Sequence, residues 1–225
     1  MKAEPGRSVG DGDVLARRML IAMIVLCAGV EIVLQLGDLG LLGVPRLRGQ
    51  AYEYGGFWSQ LLHGWRPNYA AQPFTMFLTY AILHGGLAHL IFNMIALWSL
   101  GRAVADRSGP GGLATIYVAG AVGGAAMHGL LSTTLQPMVG ASGALFGLAG
   151  ALVGWGHADR RALKADLWPI VRAIGLLLAI NVAMWWALDG QLAWQAHLGG
   201  FVAGWIAGRF ADRAPPATQD GPSDP

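Results

Sequence analysis

Six long apolar stretches divide this chain, at about 19–36, 87–102, 112–131, 142–157, 168–188 and 194–210. Each comes close to the roughly 20 residues that a helix needs to cross a bilayer. Each therefore reads as a membrane-spanning helix. Charge supports this reading. Only 12% of residues are charged and 54% are hydrophobic, whereas a soluble domain carries about 25% charged residues. A water-soluble enzyme is therefore excluded, and the expected fold is an all-α membrane protein with six transmembrane helices. Nucleic-acid binding is also excluded, because the net charge is only +2 and the 15 Lys and Arg are scattered. The single cysteine, Cys27, rules out an internal disulfide.

The first stretch lacks a small-x-small cleavage pattern after it and reads as a retained helix. Residues 1–13 and 214–225 are polar and read as mobile tails around one membrane domain over 14–213. Six spans put both termini on one side. All but three of the 15 basic residues fall on that side, which predicts cytoplasmic termini. The exceptions, Arg46, Arg48 and Arg66, lie in a long outer loop at about 37–73. That loop is rich in Trp and Tyr and is expected to rest in the membrane interface or simply to anchor there.

Polar residues within spans are costly, and each is a functional hypothesis. The informative ones are His89 and Asn93 in the second span, Ser142 opening the fourth and His197 in the sixth. Span direction puts them at similar depth, toward the outer face. The fourth span, 142–157, is only about 24 Å long at 1.5 Å per residue. This short length predicts that Ser142 starts below the surface, in a recess opening outward. His197, Gly200, Gly204 and Gly208 share one helical face, and Gly143, Gly147, Gly150 and Gly154 share another. Small-residue stripes let membrane helices approach closely. Packing these two stripes together would carry His197 to Ser142.

Ser and His in hydrogen-bond reach form the nucleophile and general base of acyl transfer. No third member presents itself. The nearest acid, Asp189, lies in the loop before the sixth span, and a dyad is the simpler reading. Oxyanion donors are expected from the backbone N–H groups of the Gly140-Ala141-Ser142 region at a helix N-terminus. His89 and Asn93, four residues apart on one face, would add side-chain donors. Glu31, His128 and Asn181 are minor polar residues; Glu31 is expected to reach the outer interface.

Three motifs carry a family resemblance: His89-Leu90-Ile91-Phe92-Asn93-Met94, Gly140-Ala141-Ser142-Gly143 and Ala196-His197-Leu198-Gly199-Gly200. Together, in this order and in the second, fourth and sixth spans, they resemble the motifs of rhomboid intramembrane serine proteases. The resemblance implies a six-helix rhomboid-like bundle with Ser142 as nucleophile and His197 as base. It implies an oxyanion held by His89, Asn93 and the Ser142 N–H. It implies cleavage of transmembrane segments of other membrane proteins near the surface of a bacterial inner membrane, with no cofactor and no metal. Bacterial relatives commonly have Tyr four residues after the serine, stacked on the histidine; Phe146 keeps that ring. The first outer loop has Thr75-Met76 where the family often has Trp-Arg. With no seventh span recognised, the chain resembles the compact bacterial form.

Two rivals belong to other classes. A catalytically silent rhomboid-like protein binding membrane helices would be expected to lose the serine or histidine, and this chain keeps both. A small transporter would show internal repeats and a site at the midplane. A zinc site over His84, His89, His128 and His197 lacks an accompanying carboxylate and the H-E-x-x-H pattern.

Overall fold

The computed structural model describes residues 10–213. Residues 1–9 and 214–225, which include Lys2, Arg7 and most of the two expected tails, lie outside the described residues. Regular structure among the described residues is helical. α1 runs Asp11–Asp38, α2 Leu47–Gly55, α3 Gln72–Thr79, α4 Leu87–Leu131, α5 Ser142–Ala162, α6 Trp168–Ala187 and α7 Trp194–Ala211. Short 3-10 turns occupy Ser59–Leu62 and Tyr80–Ile82.

α4 holds the second and third expected spans. It bends at Gly109, whose φ of 69° lies in the left-handed region, and Pro110 follows. Glycine reaches that conformation without strain and proline offers no N–H to the preceding turn. The arms, 87–108 and 110–131, then double back on each other.

α1, α4 and α6 are long and apolar enough to cross a membrane by length and composition. α5 and α7 fall short of that hydropathy for a physical reason. They are rich in Gly and Ala, and they face protein: Gly147, Leu148, Ala149, Gly150 and Ala151 of α5 are all buried. α6 is the converse, mostly apolar with no buried residue. Such a surface requires hydrocarbon around it.

α5 is the central helix, packed by α4 and α7, with α1 outside α4. Leu97, Leu113, Ile116 and Leu148 are fully buried at this centre. The α5–α7 contact follows the glycine stripes in the register Gly143–Gly200, Gly147–Gly204 and Ala151–Gly208. Gly150 and Gly154 instead face Phe201 and Trp205 of α7. The second arm of α4 enters the same contact, Gly120 against Gly147 and Gly124 against Gly143 and Ala196.

α5 continues past the expected end at His157 to Ala162 and has 21 residues; the extension carries the charged Asp159, Arg160 and Arg161. Arg107, beside the α4 bend, holds that polar end. Its guanidinium pairs with Asp159 at 2.5 and 3.0 Å and with Asp212 at 2.9 and 2.7 Å.

At the opposite end, the long loop folds over the bundle rather than running free. Phe57 and Met138 exchange two backbone hydrogen bonds of 2.9 Å, and Phe57 is fully buried beside Phe77, Tyr80 and His128. Glu31 departs from its expected interfacial place. It is fully buried and accepts two hydrogen bonds from Arg48 of α2, at 3.0 and 2.8 Å. Arg48 also reaches Asp38 and the His84 carbonyl, and Tyr52 donates to that carbonyl at 2.6 Å. The bond to Glu31 outweighs desolvation and holds the guanidinium above its ordinary pKa range. This cluster ties α1 to α2 and to the turn before α4. Arg48→Met should cost about 2 kcal/mol, less than a fully dry pair would, because water can enter the space it leaves. Thermal unfolding in detergent measures this.

Candidate active site

Ser142 is the first residue of α5, and its position is set by the segment before it. The Phe57–Met138 bridge anchors that segment, and the Gly140 N–H donates to the Tyr80 carbonyl at 2.9 Å. Tyr80 is itself fixed, its hydroxyl donating to the Ala121 carbonyl at 2.9 Å. Gly140 has φ 121°, and a Cβ there would lie 2.8 Å from His89 Nε2. Only glycine satisfies both the backbone angle and the ring beside it.

The glycine-lined approach of α5 and α7 brings His197 to Ser142. Ser142 Oγ lies 2.9 Å from His197 Nε2. The other ring nitrogen, Nδ1, lies 2.6 Å from Oδ1 of Asn181 on α6. Phe146, one turn after Ser142, stacks flat on the His197 ring, with centroids 4.2 Å apart and planes 7° apart. His197 is buried and Ser142 half-buried. A cavity of about 560 Å³ opens beside the pair, lined by apolar residues of α6 and α7 such as Leu177, Trp185 and Phe201.

The expected oxyanion donors divide. The N–H of Ser142 opens a helix and has no partner one turn back within it. The Gly140 N–H is not free, because Tyr80 accepts it. His89 Nδ1 accepts the Gly85 N–H at 3.2 Å, which leaves the ring proton on Nε2, the nitrogen facing Gly140. Asn93 is buried and donates to the His89 carbonyl at 2.8 Å; its Oδ1 has no partner. The structure thus brings Ser142, His197, Phe146 and His89 around one loop and sets Asn93 one turn behind His89.

Asn181, one of the minor polar residues of the sequence, is the one that meets His197. The signal was present, a lone amide in a mostly apolar span, but residues 16 apart on separate helices meet only in the folded chain. Tyr80 and Met138, which seat the serine loop, carry no distinguishing sequence pattern.

The fold and site together define a helical membrane protein with a serine–histidine pair at the start of a buried helix. Residues 71–213 match the Rhomboid domain family, and the chain belongs to it. The match takes in α3 to α7 and leaves α1 and α2 outside. The chain is 37% identical over 130 residues to "Rhomboid protease GluP" of Bacillus subtilis, covering 58% of this chain and 24% of that protein. It is 32% identical over 127 residues to "RHOMBOID-like protein 5" of Arabidopsis thaliana, covering 56% and 40%. "Rhomboid protein 1, mitochondrial" of Saccharomyces cerevisiae is 27% identical over 154 residues, covering 60% and 41%. The chain thus matches 24% to 41% of the length of these relatives.

Proposed function

We propose that this chain is an intramembrane serine endopeptidase that hydrolyses peptide bonds in or near transmembrane segments of other membrane proteins. The observation that carries the reading is the 2.9 Å contact between Ser142 Oγ and His197 Nε2, at a helix N-terminus and beside an apolar cavity. In this reading His197 takes the Ser142 proton as Oγ attacks the scissile carbonyl carbon. The C–N bond then breaks, His197 returns the proton to the leaving amine, and an acyl-serine remains. Water, deprotonated by His197, releases the second product and restores the serine. The developing oxyanion is held by the Ser142 N–H and by His89 Nε2–H, with Asn93 contributing its second amide proton.

The protein would sit in a bacterial inner membrane as one domain over 14–213. It would have six spans and cytoplasmic termini, with the site toward the outer face. The basic residues support that orientation, because the Arg107 end holds Arg160, Arg161, Arg209 and Arg213.

Labelling with a fluorescent fluorophosphonate tests the reading. The folded parent in detergent should be modified at Ser142, as mapped by mass spectrometry of the digested protein. A parent that neither labels nor cleaves a single-span reporter in liposomes is instead a silent helix-binding relative. Asn93→Ala should slow reporter cleavage by about 10²-fold, the lower end of the effect of losing one oxyanion donor, with little change in KM. Initial rates in proteoliposomes measure it.

A further inference from the structure

We propose that Asn181 of α6 is a positioning residue for the base: its side-chain oxygen accepts the Nδ1–H of His197 and holds the imidazole with a bare Nε2 toward Ser142. The inference deepens the protease reading and rests on it.

The hydrogen bonds assign the orientation of the amide. Asn181 Nδ2 donates to the Leu177 carbonyl at 2.9 Å, one turn back in its own helix. That leaves Oδ1 to face His197 Nδ1 at 2.6 Å. Turning the amide over would set two oxygens against each other at Leu177. It would also aim an N–H at Nδ1, which would then have to be the bare nitrogen. The ring proton would move to Nε2, and Nε2 could no longer accept the serine proton. The Leu177 carbonyl therefore selects, through Asn181, the tautomer that general-base catalysis needs.

Two further contacts define what Asn181 does that others do not. Phe146 lies flat on the ring, which confines tilting but permits a half-turn about the Cβ–Cγ bond within the same plane. Ser142 Oγ is both donor and acceptor and bonds to Nε2 in either protonation state. Neither contact distinguishes the two ring nitrogens, and Asn181 does.

The plain alternative is that the amide merely fastens α6 to α7, since interhelical amide bonds do occur in membranes. Its surroundings separate the two roles. α6 has no buried residue, and an apolar-lined cavity lies between it and α7. Fastening needs only some hydrogen bond to α7, from either end of the amide, whereas positioning needs an acceptor at Nδ1.

The test uses the full chain in detergent, with the parent, Asn181→Leu, Asn181→Asp and Ser142→Ala as blank. The probe is the fluorophosphonate, with its maximal labelling rate separated from its half-saturating concentration. Nitrogen NMR of histidine-labelled protein reads the tautomer without requiring activity. Asn181→Leu should lower the maximal rate by about 10²-fold, in the range of losing a partner that orients a functional histidine. The half-saturating concentration should change little. Asn181→Asp, which keeps an acceptor oxygen toward Nδ1 and can hold a proton toward the Leu177 carbonyl, should recover most of the rate. The parent should show protonated Nδ1 and bare Nε2 at His197, and Asn181→Leu a mixture. Parent-like labelling and an unchanged tautomer in Asn181→Leu would overturn the proposal, as would a loss that Asp does not restore. If the parent itself fails to label, the protease reading fails separately, and the tautomer of the Leu variant still decides the role of Asn181.

Discussion

Ser142→Ala is expected to abolish cleavage of a single-span reporter, lowering the rate by on the order of 10⁴-fold or more while leaving the protein folded. Removing the nucleophile of a serine–histidine unit has effects of this size elsewhere, because the unit works as a whole. Folding should survive because the substitution removes one hydroxyl and no packing. Ser142 is half-buried, and the segment before it is held by the Phe57–Met138 bridge and the Gly140–Tyr80 hydrogen bond, not by its own side chain. The measurement is reporter cleavage in proteoliposomes beside thermal unfolding of the same preparation. A cleaving Ser142→Ala protein would end the serine-protease reading. An inactive, normally melting one leaves the bond cut and the substrate as the open chemistry.

Gly204→Val should be the most damaging packing change, costing about 3 kcal/mol or more of stability and with it nearly all activity. A Cβ at Gly204 would run into the carbonyl and Cα of Gly147. Those atoms are backbone of the central helix and cannot rotate aside as a side chain would. α7 must then shift outward, and the first consequence is at the site. The Ser142–His197 hydrogen bond spans the same two helices, so a displacement of 1 Å would take it out of hydrogen-bond range. Thermal unfolding and labelling of Ser142 should therefore fail together. A Gly204→Val protein with parent-like melting and labelling would show that the α5–α7 contact is not what sets the pair.

Several elements were legible because their cause is local. The starts of α5 at Ser142, α6 at Trp168 and α7 at Trp194 follow apolar onset after polar or turn residues, with Pro169 suited to an early helical position. The break in α4 at Gly109 falls between the two stretches read as separate spans, 87–102 and 112–131. Helix ends were less legible. α5 runs past His157 to a point where Asp159 is held by Arg107 from a distant turn, and no local rule reports that. Glu31 was misplaced for the same reason. A carboxylate near a helix end reads as interfacial until Arg48, 17 residues later, is seen to cover it.

Hydropathy alone requires that the chain bury apolar helices in a membrane. The polar residues worth explaining and the glycine faces along which two helices can close were also readable, because hydropathy, helical period and residue size are properties of single stretches. Which atoms meet was left to the packing. It set the register of Gly143 on Gly200, the loss of the Gly140 N–H to Tyr80, and the meeting of Asn181 with His197 across two helices. Those outcomes depend on the rotation and offset of one helix against another, and these emerge only when all the helices pack at once.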